Sequence, residues 1–205
     1  MRSGHVIYKV NNLDAAVQEW KNKGFAVEYG REKNPYNALI YFSEGAYIEL
    51  LQDTKIPKIV KLLCKLFGMN KKMERFFYWD RCEEGWCGLC IEKDGILDKE
   101  IAFLKEKGID GVHFKKLKRV DTKGRRLEYQ CFFPEGIDFP FLMNYFNIDP
   151  KPSNFVHPNG IRRIKKVVFR IDGKQAGILK ELVQDDRLEI IADEKNKGIS
   201  EVEYE

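Results

Sequence analysis

The chain has 205 residues, 43% hydrophobic and 33% charged, with a formal net charge of +4. That balance belongs to a globular chain and excludes disordered, collagen-like and disulfide-scaffold classes. The small cationic surplus is spread along the chain, so no nucleic acid is expected as a partner. No apolar run approaches the ~20 residues that span a bilayer, so no membrane partner is expected either.

The first element follows at once. Gly4–Val10 alternates like a strand, Asn11 and Asn12 offer a helix cap, and Leu13–Lys23 carries Leu13, Ala16, Val17 and Trp20 at helical spacing. Gly24 stops that helix. Three strand-like runs follow, Phe25–Tyr29, Ala38–Phe42 and Ala46–Leu51, the last two joined by the loop Ser43-Glu44-Gly45.

The segment 53–85 fits no strand. Ile59, Leu62, Leu63 and Leu66 recur at helical spacing among Lys55, Lys58, Lys61 and Lys65; Gly68 is expected to break this helix, and Met73–Trp79 is a second apolar and aromatic stretch. A basic amphipathic helix ordinarily packs its apolar face on the domain that carries it. The other reading is an interface or a lid.

The opening pattern then recurs. Gly88–Glu92 reads as a strand and Leu97–Lys107 as a helix stopped by Gly108. A constant offset of 84 residues carries Leu13 to Leu97, Asp14 to Asp98, Val17 to Ile101, Trp20 to Leu104 and Gly24 to Gly108. Strands at Val112–Val120, Leu127–Phe133 and Phe139–Phe146 complete a second βαβββ unit. A partial third βαβ repeat closes the chain, with strands at Ile164–Ile171 and Leu188–Ala192 around a helix at Lys174–Gln184. The expected organisation is a first module over 1–52, a helical insertion over 53–85, a second module over 86–147 and the partial repeat over 148–205, all in one compact unit.

The five cysteines are Cys64, Cys82, Cys87, Cys90 and Cys131. An odd number behind an N-terminus without a signal-peptide pattern points to reduced thiols and a cytoplasmic location. Cys87-x-x-Cys90 lies in a strand and has no second pair at zinc-site spacing, so ordinary buried thiols are expected. The cationic stretch Lys115–Arg119 with Lys123–Arg126 reads as a charged strand edge, with recognition of an anionic group as the alternative. His113 reads as an edge residue.

A βαβββ unit repeated in one chain resembles the vicinal oxygen chelate superfamily, and its glyoxalase-like branch most closely. The resemblance rests on Gly4-His5-Val6-Ile7-Tyr8-Lys9-Val10, Tyr36–Phe42, Ala46-Tyr47-Ile48-Glu49-Leu50-Leu51, Phe139–Tyr145 and His157-Pro158-Asn159-Gly160. It implies an α+β fold in which two βαβββ modules form a cupped mixed sheet. It also implies metal ligands from the first and last strands of each module. Carried over, these are His5 and Glu49, which suit Zn, Mn, Fe, Ni or Co. In the second module the same positions fall on Leu89 or Gly88, and on Asn144 or Pro140.

Two functions follow from the resemblance. In one, a divalent metal polarises a small oxygen-bearing metabolite and Glu49 moves a proton, in lyase, isomerase or dioxygenase chemistry. In the other, the same cup binds a small molecule without metal. The expected ligand site joins His5, Glu49 and Asn144, with His157 closing over it from an extended pre-proline loop. His5 and Glu49 should meet inside a cavity, as metal ligands or as a hydrogen-bonded pair. A homodimer is common in such folds.

Overall fold

Asn12 begins the first helix by accepting the Ala15 N–H at 3.0 Å through its side chain, and Gly24, at φ +82°, ends it in the left-handed region. Between them α1 (Leu13–Asn22) buries the stripe Leu13, Ala16, Val17 and Trp20. Each large side chain so buried contributes about 1.5–3 kcal/mol. The computed structural model in which these features are seen describes residues 1–67 and 69–205, with every side chain there except those of Lys58, Lys65 and Asn70. The helix stop expected at Gly68 lies outside the described residues.

The elements run β1 (Arg2–Lys9), α1, β2 (Glu28–Tyr29), β3 (Asn37–Ile40), β4 (Tyr47–Leu51), α2 (Lys58–Leu66), α3 (Asn70–Arg81), β5 (Gly85–Lys93), α4 (Asp98–Glu106), β6 (Gly111–Val120), β7 (Arg126–Pro134) and β8 (Phe141–Asn144). After these come β9 (Ile164–Ile171), α5 (Gly173–Leu182), β10 (Leu188–Ala192) and β11 (Gly198–Tyr204). Eight strands form one mixed sheet in the order β2-β3-β4-β1-β5-β8-β7-β6. Its centre is the antiparallel pair β1–β5, with His5 opposite Cys90. Outward from that pair the halves match: β4 runs parallel to β1 with His5 opposite Tyr47, and β8 runs parallel to β5 with Cys90 opposite Phe141.

Strand alternation divides the side chains between two cores. Val6, Ile48, Leu50, Leu89, Ile91, Phe132 and Leu142 face the helices and join Trp20, Ile101 and Leu104 in the larger core. Ile7, Leu51, Cys90, Cys131, Phe133, Phe141 and Met143 face the concave side with Trp79 of α3. The sheet curls until its end strands approach. The Arg119 guanidinium of β6 donates to the Gly30 carbonyl at 3.2 Å and to the Tyr41 hydroxyl at 2.7 Å, and Lys123 pairs with Glu28 at 3.3 Å.

Three expectations need correction. The strand expected at Phe25–Tyr29 is only β2, because the Phe25 N–H closes the end of α1 on the Trp20 carbonyl and the Ala26 N–H is taken by His157. The C-terminal repeat gains β11, which pairs antiparallel with β9; a register shift between Ile199 and Glu201 breaks the alternation that would have signalled it. The apolar face of α2 does not pack on the domain. Ile59, Leu62, Leu63 and Leu66 are all exposed, while the opposite side is tied down by the Lys61–Asp80 ion pair.

Candidate functional site in the cup

The concave side of the sheet encloses a cavity of about 230 Å³. Most of its polar part is built by the first module, and β6 of the second adds Arg119. His5 comes from β1, Asn37 from β3, and Tyr47 and Glu49 from β4, all of one inward parity. Asn37 donates its side-chain N–H to Glu49 Oε1 at 2.7 Å. His5 Nε2 lies 3.5 Å from Glu49 Oε2, and the imidazole stacks on Tyr47 with ring centres 4.6 Å apart. The two residues do meet inside a cavity.

The remaining wall is apolar and aromatic. Phe133 stacks on Phe141 at 5.2 Å, Trp79 meets Phe141 edge-on at 5.5 Å, and Phe76 meets Phe133 at 4.8 Å. Phe76 and Trp79 reach the cup from α3. Thus the insertion supplies part of the cavity wall, which its sequence did not reveal.

Burial governs the electrostatics. It holds the His5 imidazole near a pKa of about 3, helped by the charges of Arg119 and Lys151, so this ring is neutral at ordinary pH. Burial also raises the Glu49 carboxyl, against the opposing Asn37 hydrogen bond and Arg119 charge. The same burial lifts the Tyr41 hydroxyl to about 12, although Arg119 opposes it. His5 Nδ1 is buried with no hydrogen-bond partner among the described residues.

Arg119 is the site residue that sequence reasoning missed. It belongs to a cationic run read as a charged edge, and Lys115, Lys116 and Lys118 are indeed exposed there. Leu117 and Arg119 alternate with them and turn inward to line the cavity. The available signal was parity with Leu117. It was obscured because Val120, apolar, is the more exposed neighbour.

Two expected residues stand elsewhere. Asn144 follows Leu142, whose face is the helix-side core, whereas Phe141 and Met143 face the cup; its side chain accepts the Gln130 N–H. Met143, opposite Glu92 as Glu49 is opposite Ile7, therefore holds the position equivalent to Glu49, and Cys90 the position equivalent to His5. His157 does not close over the cup. It is 2% exposed among Phe25, Phe42 and Phe155, and its Nδ1 accepts the Ala26 N–H at 2.9 Å. His113 lies beside Gln130 at 3.4 Å. The cysteines are all free.

A divalent ion does not fit this donor set. Catalytic sites of this type ordinarily draw three ligands from the protein. Here the second module offers Cys90 and Met143 at the matching positions, the Cys90 thiol fully buried against the Ile91 carbonyl and the Met143 thioether no hard-metal ligand. The Arg119 charge already favours the ionised Glu49. No group of three or more His, Cys, Asp or Glu side chains able to hold a metal occurs among the described residues.

The duplicated, cupped sheet and its inward site define a protein of the vicinal oxygen chelate fold. A family model described as a glyoxalase-like domain matches residues 4–183, and the chain belongs to that family. Among solved structures, a hypothetical protein from Staphylococcus aureus is similar over 96% of this chain and 88% of its own, at 15% identity and TM-score 0.62. The Mn(II)-bound glyoxalase from Novosphingobium aromaticivorans matches over 99% of this chain but only 64% of its own, at 12% identity and TM-score 0.60. A Streptomyces coelicolor methylmalonyl-CoA epimerase in complex with 2-nitronate-propionyl-CoA matches 71% of this chain and 97% of its own, at 15% identity and TM-score 0.43. No curated protein sequence matches the chain.

Proposed function

We propose that the cup binds a small, largely apolar molecule carrying an oxygen-rich polar end, and does so without a metal ion. The observation that carries this reading is the presence of Arg119 beside the Asn37–Glu49–His5 cluster. A fixed guanidinium can meet a carbonyl or carboxylate oxygen there, while Phe76, Trp79, Phe133 and Phe141 take the apolar body. The neutral His5 ring, with Nε2 beside Glu49, completes the polar end.

The test is a thermal-shift screen of aromatic and branched aliphatic carboxylates and ketones, read alongside elemental analysis. The expected result is stabilisation by a subset of these, weakened about tenfold or more in Arg119→Ala, in keeping with ~1.5–3 kcal/mol for a charged hydrogen bond. Stoichiometric metal in the purified protein, lost in His5→Ala, would overturn the reading.

A second reading adds proton transfer by Glu49, whose raised pKa and position on the cavity suit a general base. Deuterium wash-in at the carbon beside the carbonyl of a bound ketone, followed by NMR, distinguishes the two. Exchange that disappears in Glu49→Gln while binding persists supports an enzyme; no exchange leaves a binding protein.

A further inference from the structure

We propose that the outward face of α2 docks on an anionic lipid surface. Amphipathic helices of globular proteins turn their apolar stripe toward the core; this one does the reverse. At ~100° per residue, Leu62, Leu66, Ile59, Leu63 and Phe67 fall within an arc of about 140°. Leu66 is 71% exposed, Phe67 76% and Ile59 61%. Met69, just beyond, is exposed as well. On the inner side Lys61 pairs with Asp80 of α3, which also accepts the Thr54 hydroxyl at 2.9 Å, so the orientation is anchored.

Charge selects the occupant. From Thr54 to Met73 the sequence contains Lys55, Lys58, Lys61, Lys65, Lys71 and Lys72 and no aspartate or glutamate; Lys55 pairs with Asp53 and Lys61 with Asp80, while Lys71 and Lys72 are exposed. A second copy seated face to face would bring two such sets together with no carboxylate in the segment to offset them. A folded protein partner normally exchanges about one hydrogen bond per 100–200 Å² of interface. Between Ile59 and Met69 the polar side chains are lysines alone, apart from the thiol of Cys64, which is buried. Leucine, isoleucine and phenylalanine on one face with lysine on the remainder is the composition that lies in a headgroup layer. Such contact needs no spanning segment, and no described helix is long and apolar enough to cross a membrane.

Docking would also set the cup against the lipid. Ile56, two residues before α2, and Phe76 and Trp79, on the next helix, line the cavity. The inference does not depend on what the cup binds.

The experiment is co-sedimentation of the whole protein with vesicles of phosphatidylcholine alone and of phosphatidylcholine mixed with phosphatidylglycerol. Partitioning should be at least about tenfold stronger on the mixed vesicles and should fall as salt is raised, since each lysine near such a surface contributes about fivefold. The double variant Leu66→Glu, Phe67→Glu should sediment no more than it does without vesicles. Both side chains are exposed, so its circular dichroism and melting temperature should match the parent. Lys71→Glu, Lys72→Glu should lose the preference for the anionic vesicles. Equal sedimentation with and without vesicles would overturn the proposal. So would a dimer in analytical ultracentrifugation that the Leu66→Glu, Phe67→Glu variant dissolves.

Discussion

Inward from β1 and β4 the first module presents His5, Tyr47 and Glu49; at the matching register, β5 and β8 of the second present Cys90, Phe141 and Met143. The backbone plan is the same on both sides of the β1–β5 pair, down to the parallel partner of each first strand. The chemistry is not. At these four strands one side carries hydrogen-bonding and ionisable groups and the other stacked rings and sulfur, Arg119 being the charged group that the second module adds from β6. A duplicated frame needs only hydrophobic alternation to fold, so its inward positions are free to diverge once packing volume is kept. Divergence here has converted a symmetric frame into a cup with a polar side and an apolar side.

The apolar side should carry most of the stability. Phe141→Ala is expected to cost about 3–5 kcal/mol in urea denaturation, because the ring packs between Phe133 and Trp79 and leaves a cavity when removed. A cost no larger than that of a surface substitution would break the contrast between the walls. Met143→Glu buries a second carboxylate at the register position beside the buried Glu92 and should cost about 3 kcal/mol. Met143→Leu, similar in volume, should cost less than ~1.5 kcal/mol.

The polar side should answer to pH. The folded pKa of His5, about 3, lies below its ordinary value near 6.5. Its contribution to stability is therefore complete above about pH 6.5 and is lost as pH falls toward 3, because only the unfolded chain takes up the proton. Between pH 7 and pH 5 this amounts to about 2 kcal/mol by linkage, measurable as a fall in the urea midpoint. His5→Phe should remove that part of the slope. The smallest effect is expected from Glu49→Gln. Burial raises the Glu49 pKa, so its ionised form costs stability as pH rises through the folded value, and the neutral side chain should leave the urea midpoint at pH 7 unchanged or slightly higher. A clear loss instead would show the carboxylate to be a structural partner of Asn37 and Arg119.

The duplication was legible because helix stripe, helix stop and spacing repeat together from Leu13 and from Leu97. The His5–Glu49 meeting was legible through the resemblance and through parity on strands that begin and end a module. Asn144 was misplaced because one residue of register turns a strand side chain to the opposite face, and the sequence between Gly136 and Phe141 does not fix where β8 begins. Arg119 escaped because the bulge between Phe114 and Leu117 resets alternation along β6. His157 escaped because most of its partners, Phe25, Phe42 and the Ala26 N–H, are more than 100 residues away in sequence. Short-range pattern thus finds frames, while positions set by register shifts or distant packing need coordinates.

The strands β2 and β6 stand at opposite ends of the hydrogen-bonded order, yet they face each other across Arg119 with Gly30 and Tyr41, and Lys123 with Glu28. In mechanical terms the cup is a split ring held by a clasp, with no ladder riveting its two ends. Its girth is set by two side-chain hydrogen bonds and an ion pair, so the two ends are joined at contacts that could part without unzipping any strand pair.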